Sequence, residues 1–67
     1  MTSEQKEQLA EHLTSASREL REALAQIEVA LCGLVFGQSA MGVRHSADQA
    51  AGHVDHARRY LGRLLAQ

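Results

Sequence analysis

At 67 residues, with a formal net charge of −1 and a single cysteine, the chain is one domain at most. It carries no internal disulfide and no global field that would draw in nucleic acid or anionic lipid. A chain this small buries only about 60% of its unfolded surface, so without disulfides it leans on a metal or on self-association.

No apolar run reaches the roughly 18–20 residues that a bilayer span needs, so no membrane partner is expected. The lone thiol and the lack of a signal peptide point to a reducing, cytoplasmic setting. The absence of proline and the abundance of Ala, Leu, Glu, Gln and Arg favour helix throughout. The excess of arginine over lysine fits a GC-rich bacterial or phage genome.

The first helix is expected over about 3–36. Thr2 followed by Gln5 makes a capping box, and Glu4 and Glu7 suit the positive end of the helix dipole. Leu9, Leu13, Ala16, Leu20, Ala23, Ile27, Ala30 and Leu34 then alternate spacings of four and three, a heptad seam that Leu24 and Leu31 widen. From Val29 to Phe36 there is no charge and no strong polar group, which makes about two turns apolar on every side. Gly37 is a natural residue to end the helix, because glycine takes the left-handed conformation cheaply.

A loop is expected over about 37–45, where Gly37, Ser39 and Gly42 cluster. The second helix then runs over about 46–66. Ser39 is one possible cap, but Ser46 followed by Gln49, with Asp48 in the first turn, is the better capping box. Val43, Ala47, Ala50, Val54, Ala57, Leu61 and Leu64 form its seam, with Leu65 beside it, and Arg58, Arg59 and Arg63 suit the negative end of the dipole.

Two amphipathic helices and one loop predict an all-α, antiparallel two-helix hairpin spanning 1–67 as a single domain. Bulky Leu31, Leu34, Val35 and Phe36 are expected to face small Ala47, Ala50 and Ala51. The hairpin alone leaves part of the 29–36 segment uncovered and lets Leu9 and Leu13 overhang. A second copy solves both, so the expected assembly is a homodimeric four-helix bundle held by Ile27, Leu31, Leu34, Val35 and Phe36.

Of four histidines, His53 and His56 stand three apart and share a helix face. Two imidazoles at that spacing can chelate a divalent transition metal, with Glu28 or Asp55 adding an oxygen. Glu28 reaches their level if the loop centres near residue 41. The Glu-x-x-His signature of di-iron bundles is absent. Cys32 lies opposite the seam, where it reads as a small apolar interface residue; an intersubunit disulfide or redox thiol is the alternative. Arg58, Arg59, Tyr60 and Arg63 form a basic cluster that suits a partner surface, and short helical hairpin dimers can also bind RNA through such a face. The neutral overall charge disfavours nucleic acid. No nucleophile arrangement, phosphate loop or carboxylate pocket can be read, and an enzyme is not expected.

Ser17-Arg18-Glu19-Leu20-Arg21-Glu22-Ala23-Leu24, with Ile27 three further on, resembles the phosphoacceptor box of bacterial sensor histidine kinases, whose pattern is Ser-His-Glu-Leu-Arg-Thr-Pro-Leu followed by an apolar residue. Ser17, Glu19, Leu20, Arg21, Leu24 and Ile27 coincide. The resemblance implies a helical hairpin that dimerises into a four-helix bundle. Arg18 stands where the family has its phosphorylated histidine and Ala23 where it has proline, so no phosphotransfer is implied.

The functional expectation is a small non-enzymatic protein, without a cofactor, that dimerises and then presents a helical face to another protein as adaptor, inhibitor or regulator. A metal-binding or metal-sensing bundle using His53 and His56, and a small RNA-binding hairpin dimer, are the alternatives.

Overall fold

The structure, a computed structural model, describes residues 1–66. It is all-helical: α1 spans Ser3–Val35 and α2 spans Ala40–Leu65, packed as a hairpin, with no strand among the described residues. No described helix is long and apolar enough to cross a membrane.

The start of α1 follows the capping box. The Gln5 N–H donates to the Thr2 hydroxyl at 3.1 Å, and the Thr2 N–H donates to Gln5 Oε1 at 3.0 Å. Two backbone donors that the helix leaves unpaired are thereby satisfied. At the other end Gly37 holds φ +78°, and the chain turns back so that the Gln38 N–H donates to the Gly33 carbonyl at 2.6 Å. That bond, from the second residue past the cap to the third from the helix end, is the six-to-one closure of a Schellman turn.

The second helix begins at Ala40, not at residue 46, and the connection is correspondingly shorter than 37–45. Ser39 is the cap: its hydroxyl accepts the Gly42 N–H at 3.2 Å. Once Gly37 has reversed the chain, continuing as helix through 40–45 pairs backbone groups that a longer loop would leave to solvent. Ser46 lies inside the helix and is buried against α1. Gln49, its expected capping partner, instead places Nε2 3.3 Å from His45 Nε2 one turn away. The Gln38 side chain fills the gap between two glycines: a Cβ at Gly33 would collide with its Oε1, and one at Gly42 would stand 2.6 Å from its Nε2.

The contact between the helices is made by small residues. Ala16, Ala23 and Gly33 of α1 and Ser46, Ala50 and Ala57 of α2 are the buried positions among those described. The expected seam is therefore split lengthwise. Leu9, Ala16, Ala23 and Ala30 turn toward Leu64, Ala57, Ala50 and Val43, and all eight are buried or half-buried. The other half of the seam, Leu13, Leu20, Ile27 and Leu34, faces outward at 52%, 47%, 45% and 64% exposure. The expected packing of bulky Leu31, Leu34, Val35 and Phe36 on small Ala47, Ala50 and Ala51 does not form. Small residues meet small residues instead, which brings the backbones close and leaves no room between them for leucine.

The hairpin has two unlike flanks. Along one side of the seam run His12, Glu19 and Gln26 of α1 and, on α2, Ser46, His53 and Tyr60, each set repeating every seven residues. Along the other run the exposed leucines of α1 with Val54 and Leu61 of α2. The molecule is 53 × 15 × 9 Å across its Cα positions, a single layer two helices wide.

Candidate metal centre

Glu19 projects from the middle of α1, and His53 and His56 project from successive turns of α2 toward it. His53 Nδ1 lies 2.6 Å from Glu19 Oε2, and His56 Nδ1 lies 3.6 Å from the same oxygen. The two imidazoles stand edge to face, 87° apart with centroids separated by 6.3 Å. One ligand atom from each of the three residues lies within 4.8 Å of the other two. The side chains of Glu19, His53 and His56 are 21%, 29% and 53% exposed, so the cluster is shielded on the seam side and open outward.

The Glu19 carboxyl is held below its ordinary value of 4.5. The hydrogen bond from His53 is the largest cause. Partial burial opposes it, and the electrostatic pull of His53 and of His56, the latter 3.6 Å away, adds to it. At neutral pH the cluster therefore offers an ionised oxygen between two ring nitrogens.

His53 and His56 were legible from their spacing, but their acidic partner was not. Glu28 is exposed and is not part of the cluster. The short connection moves the point where the chain folds back, and the register shifts by about two and a half turns, which carries Glu19 to the histidines in place of Glu28. Asp55 is also outside the cluster; it sits 3.9 Å from Arg59 on the exposed side of α2.

The basic residues divide. Arg59, Tyr60 and Arg63 line a shallow surface that continues from His56, with the Arg63 guanidinium 5.5 Å from the centre of the Tyr60 ring. Arg58 is exposed but does not line that surface, being about 100° further round the helix.

On the opposite flank, Leu13, Ala16, Ser17, Leu20, Arg21 and Leu24 of α1 line an open groove with Leu61 of α2. Ile27, Leu31, Leu34, Val35 and Phe36 extend this exposure to the loop end, with Val35 and Phe36 at 78% and 85%. Cys32 is exposed as well. Periodicity alone puts Leu13 and Leu20 in the same apolar seam as the alanines, with Leu9 and Leu13 overhanging the second helix, whereas Leu9 is half-buried near Leu64. The outward position of Leu13 and Leu20 would have been legible only from knowing that α2 meets α1 through alanine.

No protein-family model matches the chain, and comparison with curated proteins and with solved structures finds no match.

Proposed function

We propose that this chain is a non-enzymatic association module. Two copies lay their apolar flanks together as a four-helix bundle, and the dimer presents its polar flank to another protein as adaptor, inhibitor or regulator. The observation that supports this is the uncovered apolar face running from Leu13 to Leu34 on α1 and over Val54 and Leu61 on α2.

A second copy is the occupant that suits the face best. The outward residues recur every seven positions on both helices, so the face is regular along its length and matches its own image after a half-turn. Among the described residues, those buried within one chain are alanine, glycine and serine, each of which removes little apolar surface from water. A domain needs two packed layers, and one hairpin supplies a single layer. Ile27, Leu31 and Leu34 fall on the proposed contact, and Val35 and Phe36 at its end. Arg59, Tyr60 and Arg63 lie on the flank that stays outside and form the surface assigned to the further partner.

Light scattering coupled to size exclusion tests the assembly. The expected mass at micromolar concentration is twice that of the 7.3 kDa chain. A mass of one chain, with the helical circular-dichroism signal intact, overturns the proposal.

A further inference from the structure

We infer that Glu19, His53 and His56 form a divalent transition-metal site that ties α1 to α2 at mid-length. The inference stands on the cluster itself and does not depend on how many chains assemble.

The first ground is convergence. Two imidazole nitrogens from one helix and a carboxylate oxygen from the other point at a common spot, with His53 Nδ1 and His56 Nδ1 at 2.6 and 3.6 Å from the same Glu19 oxygen. Residues three apart on a helix commonly share a face, but here the face is also aimed at an acceptor on a different element.

The second ground is fit. A metal bound at about 2.0–2.1 Å by nitrogen and oxygen in a tetrahedral arrangement holds its ligands roughly 3.3 Å apart. The Glu19–His56 separation of 3.6 Å is already near that spacing, and the Glu19–His53 separation of 2.6 Å has to open. The three ligand atoms lie within 4.8 Å of one another, and all three side chains are partly exposed, so the adjustment needed is on the order of 1 Å.

The third ground is donor chemistry. Two imidazoles and one carboxylate suit zinc, cobalt, nickel or copper, whereas magnesium and calcium prefer oxygen alone. Three protein ligands leave a tetrahedral ion one position for water. Without metal, the same groups are held together by the hydrogen bond between His53 and Glu19. An ion bound through His53 Nδ1 takes the place of that hydrogen bond, and the imidazole stays neutral with its proton on Nε2.

Because the ligands come from both helices, the ion binds the folded hairpin and not the open chain, and it stabilises the fold by mass action. A protein whose helices meet mainly through alanine gains from such a tie.

The test uses the full chain, stripped of metal, with Zn²⁺ and Co²⁺ as probes. The expected results are one ion per chain by calorimetry, a visible Co²⁺ absorption of tetrahedral intensity, and a thermal midpoint that rises with Zn²⁺. Glu19→Gln, His53→Ala and His56→Ala are each expected to weaken Zn²⁺ binding about tenfold or more. His45→Ala, outside the cluster, leaves it unchanged. His56→Gln guards against loss of fold, because His56 is the most exposed of the three ligands. The inference is overturned if micromolar Zn²⁺ neither binds nor raises the midpoint. It is equally overturned if Glu19→Gln binds as the parent does, which would leave two surface histidines and no link between helices.

Discussion

Gly37 and Glu19 show how single residues carry this fold. Gly37 sits at φ +78°, where a Cβ would crowd the adjoining backbone although nothing beyond its chain neighbours lies within 4 Å of it. Gly37→Ala is therefore expected to cost about 1 kcal/mol through backbone strain alone, read as a shift in the urea midpoint with unchanged slope. Glu19 acts through its proton. Its carboxyl is depressed in the folded chain, so its contribution to stability is complete above the ordinary value of 4.5 and is lost as the pH falls through the lower folded value. Thermal melts from about pH 6 to pH 3 should fall more steeply for the parent than for Glu19→Gln, because the amide has no proton to gain. Parallel curves would remove the ion pair from the account. The side chain is partly exposed, so solvent screens the effect.

At the scale of the helices, the controlling feature is the row of small residues between them. Ala50 is 5% exposed and faces α1. Ala50→Leu is expected to force the helices apart at a cost of about 1–3 kcal/mol, whereas Ala51→Leu, one residue on and exposed, should change stability by less than about 0.5 kcal/mol. Chemical denaturation of the two variants side by side checks the pair. The ends of the helices were unequally legible. Thr2 with Gln5, and Gly37, announced themselves because their geometry is local and complete within a few residues. Ser39 and Ser46 each offer a cap, and the local signals, Gln49 and Asp48, favour Ser46. The choice fell to Ser39, which leaves fewer backbone groups between the helices unpaired. That choice set the register and thereby placed Glu19, not Glu28, beside His53 and His56.

For the whole molecule, the two flanks divide the work. The polar flank carries the Glu19–His53 link, and the apolar flank is left without cover. Burying a leucine or isoleucine side chain gains about 1.5–3 kcal/mol. Replacing both Leu20 and Ile27 by glutamate is thus expected to raise the dissociation constant of the proposed dimer by at least about a hundredfold. The replacement should also abolish any dependence of the thermal midpoint on protein concentration. Sedimentation at several concentrations measures the first effect and melting measures the second. A parent midpoint that is itself independent of concentration would count against self-association.

Taken alone, the sequence determined the two helices, their first cap, the reversing glycine and the pair of histidines. Each of these depends on neighbours within one or two turns. What only the tertiary structure decided was how deep the seam lies and which residues meet across it. A heptad pattern says that a helix has an apolar stripe, but not which edge of the stripe is used within the chain. Alanine took the inner edge because small side chains let two backbones approach. That left the leucines facing out and brought Glu19 to the histidines.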